Sequence, residues 1–123
     1  MTTPAPKSIT FISRHAPYGG DNAQVCLELV LAHAVYEQTI NYLFLDDGVY
    51  QLLTSQQPDS INNKNLTANL QALALYGVEK VYVDRQSLEQ RNLSASDLIL
   101  AADILDSHQV SNLIRTADVV FSL

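Results

Sequence analysis

The chain has 123 residues, of which 47% are hydrophobic, a size and composition that suit one globular domain and leave little room for two. Seven basic and 13 acidic residues give a net charge of −6, which excludes the basic face needed to bind nucleic acid directly. The single cysteine rules out an intramolecular disulfide, and the sequence shows neither an apolar leader nor an apolar run of about 20 residues, so we expect a cytoplasmic protein that does not enter a membrane.

The first half of the chain predicts two strands joined by a long helix. Residues 9–12 are β-branched or aromatic and are followed by a loop rich in Gly and Pro, which is typical of a strand that ends in a turn. A helix is then expected over about 23–38. The apolar residues of 41–46 predict a second strand, and 49–53 a short helical turn.

The second half continues this alternation after a polar loop. Its predicted elements, in chain order, are a helix at 65–76 closed by Gly77, a strand at 78–83, a helical turn at 87–91, a strand at 98–101, a helix capped by Asp106 or Ser107, and a strand at 119–121. Strands that alternate with helices imply right-handed crossovers and a parallel sheet covered on both faces. The predicted fold class is therefore α/β, a single flavodoxin-like three-layer domain with a five-stranded, mainly parallel sheet.

The first helix shows two apolar stripes when its residues are placed at 100° per step. The stripes are Val25, Leu29, Ala32 and Tyr36 on one side and Leu27, Val30 and Ala34 on the other. One stripe suffices to cover a sheet. The second stripe indicates either contact with a partner protein or a wide face packed between neighbouring helices.

Cys26 is the only thiol and the first candidate for a nucleophile or sulfur carrier. It shares a side of the helix with His33, but seven residues correspond to a rise of about 10 Å, which is too long for a hydrogen bond. A nearby helix N-terminus would lower the pKa of the thiol. The commoner role of a lone cysteine is that of a small buried hydrophobe, and we expect that role here.

Ligands of such sheets bind beyond the carboxyl ends of the strands, where this sequence has Arg14 and several aspartates. Aspartates grouped in this way bind Mg²⁺ in phosphorylation receivers, but here the first strand ends in Ser and Arg rather than an acidic pair. The loop 13–21 lacks the glycine patterns that bind phosphate, and the three histidines have no metal-ligand spacing. We expect the aspartates to end strands and cap helices, and we expect no metal and no cofactor.

Five segments together carry a resemblance to a known family. They are APYG at 16–19, FLDDGVYQLL at 44–53, LALYGV at 73–78, SLEQRNL at 87–93 and ADVVF at 117–121. In order and spacing the chain resembles the DsrE/DsrF-like sulfur-relay family, within it the TusC/DsrF branch, over nearly its whole length. We therefore expect a disordered lead-in at 1–8 and a DsrE/DsrF-like domain at 9–123.

The resemblance implies a subunit of a complex built as a dimer of heterotrimers with two paralogous subunits, one TusB/DsrH-like and one TusD/DsrE-like. Such complexes pass persulfide sulfur to a downstream acceptor protein, either for 2-thiolation of the tRNA wobble uridine or in sulfur oxidation. In the sister subunit that carries sulfur, the working cysteine follows the third strand, at about the position of Asp84 here. Asp84 cannot hold a persulfide, so the resemblance implies a structural subunit without a catalytic residue, with a sulfur carrier at Cys26 as the alternative.

The surface that meets these partners is predicted from two segments. The residues are Val25, Leu29 and Tyr36 on the first helix, and Asp47, Gly48, Val49, Tyr50 and Gln51 after the second strand.

Overall fold

The computed structural model describes residues 8–17, 20–36, 38–53 and 67–123. Five parallel strands form one sheet in the order β4-β3-β2-β1-β5. The strands are β1 (Ser8–Ser13), β2 (Thr39–Phe44), β3 (Lys80–Asp84), β4 (Asp103–Leu105) and β5 (Val119–Ser122). The α-helices are α1 (Asn22–Ala34), α2 (67–71), α3 (Arg85–Gln90) and α4 (Ser107–Thr116), and three 3-10 helices span Asp46–Leu52, Leu73–Tyr76 and Ala95–Asp97.

The strand order explains how both faces of the sheet are covered. Strands β1 to β4 lie side by side in chain order, so each crossover between them moves the same way across the sheet. Right-handed crossovers therefore place α1, α2 and α3 on one face. The chain then returns from β4 to the far side of β1, and the same handedness places α4 on the opposite face. The predicted three-layer α/β fold with a parallel sheet is confirmed.

The main core lies between the sheet and α1. Phe11, Tyr42 and Phe44 project from β1 and β2, and Leu27 and Val30 cover them from α1; all five are fully buried. The rings of Tyr42 and Phe44 stack with centroids 4.4 Å apart. The stripe of α1 that holds Leu27 and Val30 is therefore the one that covers the sheet.

The predicted fourth strand at 98–101 is wrong, because β4 begins at Asp103. Leu98 makes an isolated antiparallel bridge to Leu53, and the backbone N–H of Ile99 donates to Leu52 O at 2.7 Å. The side chains of Leu98 and Ile99 pack against the core. An apolar run indicates burial, and here burial is reached against the end of a 3-10 helix rather than in the sheet.

Smaller differences concern where elements begin and end. Helix α1 ends at Ala34 rather than at residue 38, and β1 already begins at Ser8, inside the expected lead-in. Residues 65 and 66 of the predicted second helix lie outside the described residues. Gly77 closes that region as expected, because its φ of 86° is left-handed and glycine adopts it without a Cβ clash. None of the helices in the described part of the chain has the length and apolar content needed to cross a bilayer.

Candidate functional site

A cleft of about 410 Å³ lies at the carboxyl edge of the sheet, where α/β folds bind their ligands. It forms beside β1, the strand that lies between β2 and the returning β5. Its lining comes from three chain segments: Arg14 and His15 after β1, Asp46 and Asp47 after β2, and Ser122 and Leu123 at the end of β5.

The 3-10 helix Asp46–Leu52 forms one wall of this region by packing against the end of β1. Gly48 sits so close to β1 that a Cβ at this position would collide with the carbonyl oxygen of Ser13. Gln51 is fully buried, and its Nε2 donates to Ser13 Oγ at 2.7 Å and to His15 O at 2.8 Å. The DGVYQLL segment is thus explained by packing: glycine permits the close approach and glutamine holds the neighbouring loop.

Two ion pairs flank the cleft. Arg14 contacts Asp46 Oδ2 at 3.2 Å, with both side chains about half exposed. Arg91 contacts Asp47 Oδ1 at 2.8 Å and lies over the ring of Tyr50 at 5.8 Å. The Arg14–Asp46 pair is exposed enough to contribute only roughly 0–1 kcal/mol, whereas in the second pair the Arg91 side chain is 17% exposed and that of Asp47 is 58% exposed.

Asp84 ends β3 and serves as the N-cap of α3. One oxygen, Oδ2, accepts from the backbone N–H of Ser87 at 3.1 Å and from its hydroxyl at 2.6 Å. Ser87 Oγ in turn accepts from the backbone N–H of Asp46 at 2.9 Å, so the cap is tied to the neighbouring loop. The expectation that aspartates end strands and cap helices holds for Asp84 and also for Asp106, the N-cap of α4.

Cys26 lies on the core side of α1 and is fully buried, as expected of a packing residue. Burial raises the pKa of its thiol to about 11, although the nearby hydroxyl groups of Ser13 and Tyr42 lower it in part. At neutral pH only about one thiol in 10⁴ is ionised at such a pKa, and the thiolate is the reactive form. The structure therefore gives Cys26 neither the access nor the ionisation that a nucleophile needs.

The raised pKa of the Cys26 thiol predicts a loss of stability in alkali. Above the ordinary thiol pKa of about 8.5 the unfolded chain ionises and the folded chain does not, so the free energy of unfolding falls as pH rises toward 11. The loss should approach about 3 kcal/mol, and urea unfolding at pH 7 to 11 measures it. Cys26→Ala should be less stable at pH 7 but show a flatter decline; an equal decline in both proteins would contradict the prediction.

The predicted interface residues lie in two different settings. Val25 on α1 is 41% exposed and Leu29 on the same helix is half-buried, whereas Tyr36, two residues beyond the end of α1, is 66% exposed. Asp47 is exposed and Tyr50 is half-buried.

The other three predicted interface residues, Gly48, Val49 and Gln51, are buried inside the subunit. They leave no surface for a partner, which corrects that part of the expectation. The reason is the close packing of their 3-10 helix on β1.

Sequence reasoning missed an apolar surface at the opposite, amino edge of the sheet. Val35 follows α1, and Leu75 and Tyr76 end the 3-10 helix that precedes β3; Leu75 is 89% exposed. Apolar residues are by default assigned to a core, so only their position at the ends of helices could have indicated exposure.

For metals, no group of three or more His, Cys, Asp or Glu side chains suited to binding occurs among the described residues.

The chain is similar to proteins of one family over nearly its whole length. A sequence model of the DsrE/DsrF-like family matches residues 7–123. A Pseudomonas aeruginosa protein named "Protein TusC homolog" is 38% identical over 95% of this chain and 98% of its own length. An Allochromatium vinosum protein named "Intracellular sulfur oxidation protein DsrF" is 39% identical over 94% and 96%. The crystal structure of the ychN protein from E. coli has a TM-score of 0.78 at 22% identity, covering 95% of this chain and 99% of that one, which shows a shared fold.

Proposed function

This chain belongs to the DsrE/DsrF-like family, and on that premise we propose that it is a non-catalytic structural subunit of a sulfur-relay complex. The observation that carries the proposal is the state of the thiol. The sequence contains one cysteine, and it is buried with a raised pKa. Sulfur in a relay moves by attack of an accessible thiolate, so the transfer steps belong to thiols on other chains.

The position of Asp84 supports the same conclusion. Where the sulfur-carrying sister subunit would have its cysteine, this chain has a carboxylate that caps α3 and holds Ser87. A carboxylate cannot form a persulfide. The residue contributes local order instead, because it links the end of β3 to the loop after β2 through Ser87 and Asp46.

We assign the chain two paralogous partners, one TusB/DsrH-like and one TusD/DsrE-like, in a dimer of heterotrimers that hands sulfur to a downstream acceptor. The exposed side chains of Val25, Tyr36 and Asp47, with Leu29 and Tyr50 beside them, are the proposed contact surface for these partners. The stripe that holds Val25 and Leu29 supports this choice, since the sheet is already covered by the stripe that holds Leu27 and Val30.

The proposed end point is 2-thiolation of the tRNA wobble uridine in the cytoplasm. Support comes from the relative named as a TusC homolog. Dissimilatory sulfur oxidation is the second candidate, because a relative of nearly equal identity is named as an intracellular sulfur oxidation protein. For tRNA thiolation we assign the tRNA contact to another protein, since this chain carries a net charge of −6.

Deletion of the chain and Cys26→Ser should have opposite effects on thiolation. Deletion should abolish 2-thiouridine in tRNA, because the complex loses a subunit, whereas Cys26→Ser should retain it, because the thiol carries no sulfur. Mass spectrometry of digested tRNA measures both. A complex that assembles normally with Cys26→Ser but loses thiolation would overturn the structural role, as would a sulfur adduct of about 32 Da on Cys26.

One further outcome separates the candidate end points, and another tests the subunit role. If deletion leaves 2-thiouridine unchanged but slows oxidation of stored sulfur, the oxidation complex is the correct assignment. If purified chain captures neither paralogous subunit when the three are produced together, the subunit role itself is wrong.

A further inference from the structure

The segment after β2 contains Asp47–Gly48, the only Asp–Gly step in the sequence. Aspartate followed by glycine is chemically reactive, because glycine has no side chain to hinder attack of its backbone nitrogen on the aspartyl carboxyl group. The step lies in the wall of the candidate cleft, and Gly48 packs directly against the end of β1. A covalent change at this point would therefore alter the cleft.

The reaction open to this step is rearrangement to isoaspartate. The Gly48 nitrogen attacks Asp47 Cγ, and Cγ loses one oxygen, which leaves as water with the amide proton and the carboxyl proton. The product is a five-membered cyclic imide. Water then opens the imide at Cγ, which restores Asp47, or at the main-chain carbonyl carbon, which leaves Gly48 joined through Cγ. The second product has the original mass, and neither step needs an oxidant or a reductant.

The fold holds the attacking nitrogen out of reach. The N–H of Gly48 donates to Leu45 O at 2.9 Å within the 3-10 helix Asp46–Leu52. Closure of the imide ring requires this nitrogen to eclipse Cβ of Asp47, which a 3-10 helix with ψ of about −20 to −30° does not allow. Rotation toward the reactive geometry is opposed by the close packing of Gly48 on Ser13.

Arg91 holds the other reacting group, the carboxyl group of Asp47. Its Nε and Nη2 both donate to Asp47 Oδ1, at 3.2 and 2.8 Å. The guanidinium is itself fixed, because Nη1 donates to Ser87 O at 3.1 Å and the group lies over the ring of Tyr50. The carboxyl group is thus held from α3, outside the 3-10 helix that carries the nitrogen.

We propose that Asp47–Gly48 is an isoaspartate-forming site whose rate is controlled by the fold, with Arg91 and the Leu45 carbonyl holding the two reacting groups apart. Rearrangement then occurs when the 3-10 helix opens from β1 and frees both groups. The proposal concerns the backbone of this chain and does not depend on the sulfur-relay role.

The rearranged chain should fit the fold poorly. In the isoaspartyl form Cβ of Asp47 becomes part of the main chain, so the backbone before Gly48 is longer by one carbon. Gly48 has no room to absorb this change, since even an added Cβ would collide with the carbonyl group of Ser13. The rearranged form should therefore unfold at a lower urea concentration than the original form.

Incubation of the full chain at pH 7, followed by peptide mapping, tests the proposal. Liquid chromatography separates the isoaspartyl peptide from the original peptide of equal mass, and electron-transfer fragmentation places the linkage at residue 47. The folded chain should form isoaspartate at least about tenfold more slowly than the same chain kept unfolded in guanidinium chloride. Asp47→Glu should form none at this position, because its ring would need six members.

Arg91→Ala tests the clamp and should raise the rate in the folded chain at least about threefold, because the carboxyl group is released. Arg14→Ala is the matched control, since it frees Asp46, which glycine does not follow, and should leave the rate unchanged. Val30→Ala controls for general loss of stability: it truncates the core far more severely, yet should raise the rate less than Arg91→Ala.

Three results would overturn the proposal. Equal rates in the folded and unfolded chains would show that the fold does not control the reaction. Isoaspartate that forms mainly at another residue, or at none, would show that this step is not the site. A rate for Arg91→Ala no higher than that for Arg14→Ala or Val30→Ala would show that Arg91 does not hold the carboxyl group back.

Discussion

Gly48→Ala should destabilise the protein by about 3 kcal/mol or more, near the upper end of what single substitutions do. The added Cβ would collide with backbone atoms, the carbonyl carbon and oxygen of Ser13, which cannot rotate away as a side chain could. Relief requires the 3-10 helix Asp46–Leu52 to move off β1. That movement would also displace Val49 and Leu52, which are fully buried in the core.

Gly20→Ala is the matched control for this experiment. A Cβ at Gly20 meets nothing within 4 Å, so the change should alter the free energy of unfolding by only about 0.5 kcal/mol in either direction. Urea unfolding of both variants and the wild type measures the difference. Equal midpoints for the two variants would show that β1 and the 3-10 helix separate at little cost, and would contradict the close packing at Gly48.

The order of strands and helices was predictable because each strand except β4 is rich in β-branched or aromatic residues. The apolar run at 98–101 fits a strand equally well by composition, and only tertiary contact decides that Leu98 bridges to Leu53 instead. The true β4 contains Asp103, an exposed residue that disfavours a strand in any single-sequence argument. The prediction of a strand at 98–101 is therefore wrong because the composition there favours a strand, whereas the strand that pairs with β3 lies at 103–105.

The capping aspartates were also predictable, since Asp is a preferred N-cap and Asp84 and Asp106 precede helical segments. The burial of Gln51 was not. A glutamine in a sequence is by default exposed, and its role depends on Ser13 and His15, which lie 38 and 36 residues away along the chain. Polar groups buried through long-range hydrogen bonds leave no periodic signal, which is why the DGVYQLL segment suggested an interface instead.

Gln51→Glu should be destabilised by roughly 4 kcal/mol at neutral pH, because a fully buried carboxylate loses its hydration. The substitution removes the amide N–H groups that now donate hydrogen bonds to Ser13 Oγ and His15 O. Oε1 of Gln51 already lies buried without a hydrogen-bond partner among the described residues. None of those residues therefore donates a hydrogen bond there that would stabilise a negative charge. Urea unfolding at pH 7 measures the loss.

The pH dependence distinguishes a buried charge from simple loss of packing. Burial raises the pKa of the introduced carboxyl group above its unfolded value of about 4.3, so the variant is closest to wild type below that pH. Its stability relative to wild type then falls as pH rises through the raised pKa and levels off above it.

Gln109→Glu is the control, because Gln109 is an exposed capping-box residue whose Oε1 accepts from Asp106 N at 2.9 Å, a role that a carboxylate fills equally well. A Gln51→Glu variant with a deficit that does not change between pH 4 and 8 would show that the carboxyl group reaches solvent, and that Gln51 does not hold the Ser13–His15 loop from inside the core.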